Sequence, residues 1–406
     1  MRHPLMVAFL SLAALIQVYR LAAALPGRIH EEDFADYYAA ATIMREGENP
    51  YRTSLGPVGA RLGLHSKAHQ RDDTIPETPA FLIGLRALGA LPLTQAYWTW
   101  IAINFAALIA SFYLLLGPAS GLRPVDACLM VALALIYPPL IDLFLTAQSQ
   151  MLVLLGLALS IRWLATGRDG AAGLMLAVLT LMRGYPGLMG LYLLLTQKWR
   201  ALAFMVAGGI VGLAVCVALM GWRPILDFPL GLSAAAGDRI LFKVAFNLSP
   251  RSFVWRICYY LNGWHLSPAG DRFATALGYG ASLAFLALTV RATTLQRRRA
   301  PDRDWRLFSL WVITSIMVLP FAWLNYAVML FVPFALLTSA AVHERVSNRA
   351  MWAAIGSYFL SLFAFGGLIF LTPAIPIVFV VLVGESKSVA VIAGYLSAYW
   401  FAVDQA

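Results

Sequence analysis

Apolar stretches approaching twenty residues recur from one end of this 406-residue chain to the other. A helix rises about 1.5 Å per residue, so about 20 residues cross a bilayer core of about 30 Å. In lipid every backbone N–H and C=O must be satisfied internally, which leaves helical bundles and closed barrels. The runs here are continuously apolar rather than alternating over about ten residues, which argues against a barrel. The prediction is an all-α integral membrane protein, a polytopic helical bundle. Composition agrees: 61% of residues are hydrophobic and 12% charged, against about 25% charged in soluble domains.

Residues 4–25 read as the first span. Ala22-Ala23-Ala24 resembles a processing site, but the stretch exceeds a signal h-region of about 7–15 residues and carries Gln17 and Arg20. Further spans are expected at 95–116, 125–145, 150–166, 170–184, 186–197, 201–220, 272–291, 305–320, 325–341 and 350–371. Two weaker segments to the C-terminus bring the total to about 12–13 helices. The two shortest meet at Arg183-Gly184-Tyr185-Pro186 and read as a helical hairpin.

The net charge of +10 does not mark a nucleic-acid binder. Arg123, Arg162 with Arg168, Lys198 with Arg200, Arg297-Arg298-Arg299 and Arg345 with Arg349 gather in short loops between spans, the positive-inside pattern. That pattern puts the N-terminus in the cytoplasm and two longer segments, 26–94 and 221–271, outside. In the first, residues 33–46 are predicted helical and stopped by Gly47, Asn49 and Pro50. The apolar piece that follows Pro76 and Pro79 and ends at Pro92 is expected to lie along the interface. Neither outer segment is long enough for a separate domain, so residues 1–406 read as one unit. Cys128, Cys216 and Cys258 form neither a disulfide framework nor a zinc-type spacing.

Polar residues collect on the outer face. Asp33 and Asp36 stand beside Tyr37 and Tyr38, and Gln148, Gln150, Arg183, Asn247 and Asn325 are placed on the same side. A carboxylate within reach of an alcohol can accept its proton as a new bond forms. Equally, Asp33 can cap a helix starting near Phe34, and spacing alone favours the cap. Arg183 lies between two apolar helices, where a charge is costly and marks a candidate site. It can neutralise a phosphate leaving group or snorkel into headgroups. The glutamines and asparagines can bond sugar hydroxyls or satisfy helix ends. Asn104 and Asp142 read as polar glue between helices, and His265 as an interface residue. There is no Gly-rich phosphate loop, no His/Cys cluster and no nucleophile elbow, so neither metal nor cofactor is expected.

The run Asp33-Phe34-Ala35-Asp36-Tyr37-Tyr38-Ala39-Ala40, continuing to Gly47-Glu48-Asn49-Pro50-Tyr51, resembles the first-loop signature of glycosyltransferase family 87, within the GT-C superfamily. Further matches keep that family's order. Ile75-Pro76-Glu77-Thr78-Pro79 resembles its Pro-rich approach to the second span. Ala147-Gln148-Ser149-Gln150 is similar to a Gly-Gln-x-Asn turn, and Leu181-Met182-Arg183-Gly184-Tyr185-Pro186 to a Lys-x-x-Pro hairpin. Asn247-Leu248-Ser249 is similar to Asn-Gln-Ser, and Pro320 to Tyr326 to a Pro-x-x-Trp-x-x-His/Tyr segment. Gln150 stands where Asn is frequent, and Arg183 where Lys is usual. Asp36 fills a position that is usually apolar, so the base is carried over to Asp33.

The resemblance implies a polyprenyl-phosphate hexose donor, most plausibly mannose, a glycan or glycolipid acceptor, inversion at the anomeric carbon and an extracytoplasmic site. On this reading Asp33 is the base and Arg183 meets the donor phosphate. Asp36, Tyr37, Gln148, Gln150, Tyr185, Asn247, Asn325 and Tyr326 are expected around the substrates. The expected location is a bacterial inner (plasma) membrane. A transporter or lipid flippase is the main rival. A carrier places polar groups mid-span in paired broken helices, whereas here they gather at one face. A non-catalytic membrane scaffold is the other.

Overall fold

The computed structural model describes residues 4–65, 74–237, 247–263, 265–299, 304–343, 346–362 and 385–404. Among them the chain is helical, and strand-type pairing is limited to an isolated antiparallel bridge between Asn247 and Trp323. Five segments are long and apolar enough to cross a bilayer: Val7–Arg28, Leu93–Ser120, Trp199–Met220, Pro268–Arg298 and Leu324–His343. Pro124–Leu135 with Pro138–Leu145, bent by 54°, makes a sixth. The bend falls where Tyr137 turns extended before two prolines, which cannot continue the backbone ladder. Phe9, Ile210 and Leu283 on these segments stay exposed, as a surface solvated by acyl chains allows.

The chain is therefore an all-helical, multi-pass membrane protein. Among the described residues five or six segments are long enough to cross a bilayer, where the apolar runs led to an expectation of about 12–13 helices in the whole chain. The stretches at 150–166, 186–197 and 305–320 form the shorter apolar helices Gln150–Ala165, Tyr185–Leu195 and Trp305–Met317. A run of apolar residues reports burial and cannot by itself distinguish a full crossing from a short helix inside the bundle. Residues 363–384, which hold part of the weak C-terminal segments, lie outside the described residues, as do 238–246 of the second outer segment.

Helix α1 (Pro4–Ala24) leads through one 3-10 turn into α2 (Glu32–Arg45), within a residue of the helix predicted over 33–46. Around α2 pack α3 (Leu55–Leu62), α4 (Pro79–Leu85) and the first turns of α5 (Leu93–Leu116). They share a core of Phe34, Tyr37, Ile43, Leu55, Leu82 and Tyr97. The described part of residues 26–94 is thus a packed helical cap. Residues 88–90 press against α2 so closely that a Cβ on Gly89 would meet that of Ala41 at 2.9 Å.

Helices α6 (Pro124–Leu135) and α7 (Pro138–Leu145) form the bent pair. Next, α8 (Gln150–Ala165) and α9 (Asp169–Arg183) run in opposite directions across a short basic loop. Gln150 and Arg183 therefore share one end of the bundle, and Arg162 and Arg168 the other. After α10 (Met189–Leu195) comes α11 (Trp199–Met220), packed on α9 where a Cβ on Gly173 would lie 2.0 Å from the Ala201 carbonyl oxygen. Small residues let membrane helices approach that closely.

The second outer segment contains α12 (Trp222–Gly237) and α13 (Pro250–Leu261). Asp227 of α12 clasps the cap: Arg52 donates to it from Nε and Nη2, both at 2.7 Å, and Asn49 from Nδ2 at 2.8 Å. The Arg52 guanidinium holds the Asp227 carboxyl below the usual carboxylate range. Beyond α14 (Pro268–Arg299), α15 (Asp304–Met317), α16 (Phe331–His343) and α17 (Asn348–Leu362) comes α18 (Ser386–Val403). It is tied to α13 by a buried ion pair. Arg256 meets Glu385 through Nε at 2.5 Å and Nη2 at 2.6 Å, and Tyr260 donates to the same carboxylate at 3.1 Å.

Candidate active site

Positions i and i+4 share a helix face, so α2 presents Asp33 and Tyr37 together toward the turn 147–150. That turn is strained: Ala147 has φ of +52°, a left-handed value that favours glycine and persists at functional sites when its surroundings enforce it. Trp100 Nε1 helps to enforce it by donating to the Ala147 carbonyl at 2.7 Å. The chain carries Ala where the resembled turn carries Gly.

Gln148 joins the two halves of the site. Its Oε1 accepts from the Tyr37 hydroxyl at 2.9 Å and from Arg183 Nη2 at 3.0 Å, while its Nε2 donates to Asp33. Two donors at one end and a carboxylate at the other leave the amide one orientation. Arg183, the last residue of α9, is spread over four acceptors. Nε donates to Ser149 Oγ at 2.6 Å, Nη2 to the Tyr37 hydroxyl at 2.8 Å and to Gln148, and Nη1 to Glu77. The Arg183 and Glu77 side chains are only 7% and 12% exposed. A charge that deep must be paired and bonded on its remaining donors. Burial holds the Tyr37 phenol well above its ordinary range, so it stays protonated and can donate to Gln148.

The other candidates close around this network. Gln150 Nε2 lies 3.4 Å from Asn325 Oδ1. The Tyr185 and Tyr326 rings meet at 5.3 Å, and Tyr326 stands within electrostatic reach of Arg183, Glu77 and Asp33. The Tyr185 hydroxyl is buried and has no partner among the described residues. A buried unpaired donor in a native fold calls for an explanation, such as a ligand it is built to meet. Gly184, with φ of +69°, ends α9 and lets Tyr185 turn back beside Arg183. Asp36 sits less than one turn beyond Asp33, half-buried.

Two expectations change, and the contacts of Asn247 become visible. The N-cap of α2 is Glu31, with no side-chain capping bond, and Asp33 lies inside the first turn, so Asp33 is not the cap. There the helix dipole favours its ionised form. Asn247 is buried and engaged with backbone: its Oδ1 accepts from Ser249 N at 3.1 Å and Ala322 N at 3.2 Å. Through Oδ1 it ties its own turn to the segment that leads to Asn325 and Tyr326. Asn104 donates to the Trp100 carbonyl of its own helix at 2.9 Å and is not glue between helices through that group.

The missed residues are Glu77, Ser149 and Phe81, whose ring lies 4.8 Å beneath the Arg183 guanidinium. The one available signal was an acidic residue between two prolines in Pro76-Glu77-Thr78-Pro79. Thr78 then caps α4, accepting from Phe81 N at 3.4 Å, and donates to the Met182 carbonyl at 2.8 Å. That fixes Glu77 beside Arg183.

The described helices thus form a membrane bundle with a carboxylate, an amide bridge and a buried guanidinium gathered at one end. The sequence profile of glycosyltransferase family 87 matches residues 78–320, 243 of the 406 residues. The chain belongs to that family and is an integral-membrane glycosyltransferase, which sets aside the carrier and scaffold readings. The match includes Gln148, Gln150, Arg183, Tyr185 and Asn247, while Asp33, Glu77, Asn325 and Tyr326 lie beyond its ends. No characterised protein and no solved structure matches the chain.

Proposed function

We propose that the chain transfers a hexose, mannose, from a polyprenyl-phosphate donor to a hydroxyl of a glycan or glycolipid, with inversion, at the extracytoplasmic face. The observation that carries this reading is Gln148, which holds Asp33 at one end of its amide and Arg183 at the other. Glycosyl transfer from a phosphate needs a base for the incoming alcohol and a cation for the departing phosphate.

Asp33 takes the acceptor hydroxyl's proton as the oxygen attacks the anomeric carbon. The bond from that carbon to the phosphate oxygen breaks in the same displacement, which inverts the configuration. Arg183 neutralises the charge left on the polyprenyl phosphate, and the Tyr185 hydroxyl, without a partner among the described residues, offers the phosphate or sugar a second donor. Gln148 and Tyr37 align base and cation. Gln150, Asn325, Tyr326 and Asp36 line the sugar and acceptor sides, and Asn247 positions the segment behind them. The basic loop at the far end of α8 and α9 supports the sidedness, with that end and the N-terminus cytoplasmic and the membrane a bacterial inner one. Residues 1–406 act as one catalytic unit, with 26–94 and 221–271 as its outer parts.

The test is incubation of purified protein with polyprenyl-phosphate mannose and polyprenyl-phosphate glucose, each with membrane glycolipid acceptors. Release of polyprenyl phosphate from the mannosyl donor, with an inverted product anomer, is the expected result. Consumption of neither donor contradicts the reading.

A further inference from the structure

We infer that Glu77 is a built-in stand-in for the donor: its carboxylate occupies the Nη1 edge of Arg183 that the donor phosphate takes over on binding. This rests on the functional reading above and adds a residue that controls affinity for the phosphate.

Four of the five guanidinium N–H groups are committed to Ser149, Tyr37, Gln148 and Glu77. The Nη2 contacts hold the bridge that leads to Asp33, and Nε is tied to Ser149 in the same turn, so an incoming anion that displaced Nη2 would loosen the support of the base. The Nη1 edge meets only Glu77 among the described contacts, and an anion arriving there leaves the bridge intact. The Tyr185 hydroxyl, buried and unpartnered, lies beside Arg183 and Tyr326 and supplies a second donor to whatever replaces the carboxylate.

Glu77 is mounted for such an exchange. Its backbone is pinned, because its carbonyl accepts from the Tyr51 hydroxyl at 2.8 Å and the next residue, Thr78, is bonded to Met182. Its carboxylate has Arg183 as its described partner. Rotation of one side chain therefore vacates the edge without moving the backbone. A phosphodiester and a carboxylate held together against one guanidinium would repel, so one anion leaves as the other arrives. After transfer the phosphate carries one more ionisable oxygen, and the returning carboxylate competes with it and speeds its departure. No covalent bond changes in the exchange.

The experiment measures binding of polyprenyl monophosphate to purified protein and steady-state kinetics with the polyprenyl-phosphate sugar donor. Glu77→Gln keeps an acceptor for Nη1 and removes the charge. Its expected effect is roughly tenfold tighter phosphate binding, a lower KM and a lower kcat limited by release. A purely structural role predicts weaker binding and a raised KM, and that outcome, or unchanged binding, overturns the inference. If Glu77→Gln does not fold, Glu77→Asp, which keeps the charge but withdraws it by one methylene, is expected to shift binding in the same direction by less. Failure of the wild-type protein to bind either lipid sinks the functional reading itself, so the two failures are distinguishable.

Discussion

Arg183→Lys keeps the charge that the family usually places there and removes the fork. In the native protein three nitrogens reach four acceptors: Ser149 Oγ, Glu77, the Tyr37 hydroxyl and Gln148 Oε1. A lysine ammonium offers three donors from one point, so at least one of these four contacts is lost, and only Gln148 Oε1 keeps a second donor, the Tyr37 hydroxyl. Leaving such a group unsatisfied costs about 1–3 kcal/mol. Pairing with Glu77 dominates by charge, so the contact given up falls on Ser149 or on the Tyr37–Gln148 side, and Gln148 then holds Asp33 less firmly. At about 1.4 kcal/mol per tenfold, kcat/KM drops roughly 5- to 150-fold. The assay is release of polyprenyl phosphate at sub-saturating donor, run beside thermal unfolding. Arg183→Met is expected to do worse, because it strands Glu77 without a counter-charge at a cost of about 3–5 kcal/mol. Wild-type kcat/KM and Tm in Arg183→Lys would refute the reasoning, since the fork geometry would then carry nothing.

Two further predictions concern the supports of the site. Arg256→Met leaves Glu385 buried and unpaired, so it is expected to lower stability by about 3–5 kcal/mol, and the double change with Glu385→Met to recover most of that loss; equal denaturation midpoints for the single and double variants count against it. The Asp227 clasp is present above the ordinary aspartate range near pH 4 and is lost as pH falls through the lowered value set by Arg52. Hydrogen-exchange protection in residues 49–54, corrected for the intrinsic pH dependence of amide exchange, should thus be unchanged from pH 8 to 5 and fall only in stronger acid. Asp227→Asn should show the fast exchange already at pH 7, and slow exchange there contradicts the clasp.

What could be read from the residues follows the range of the physics. Long spans such as Trp199–Met220 announce themselves because lipid demands about 20 apolar residues in a row. Helix α2 was legible from its helical periodicity over 33–46 and its stop at Gly47, Asn49 and Pro50. Asp33, Gln148, Gln150, Arg183 and Asn325 were legible as polar residues on one face, Tyr185 only through the family resemblance, and the fold brings them together. Their pairing was not, because Gln148 meets Asp33 across 115 positions and Glu77 meets Arg183 across 106. No local pattern encodes such contacts. The backbone contacts of Asn247 were hidden for a related reason. An asparagine that binds sugar and one that staples two loops look alike until Ala322 appears beside it. The apolar core of the cap was hidden because its members come from four helices in a segment that reads as polar on average.

Everything turns on whether Asp33 accepts the proton, and Asp33→Asn tests that with little change of shape. Asparagine can still accept from Gln148 but cannot serve as a base, a role worth about 10²–10⁴-fold. Transfer from polyprenyl-phosphate mannose by the purified variant is predicted to fall at least about 100-fold, with donor binding and Tm at wild-type values. Turnover at the wild-type rate by a folded, donor-binding Asp33→Asn protein would contradict the account.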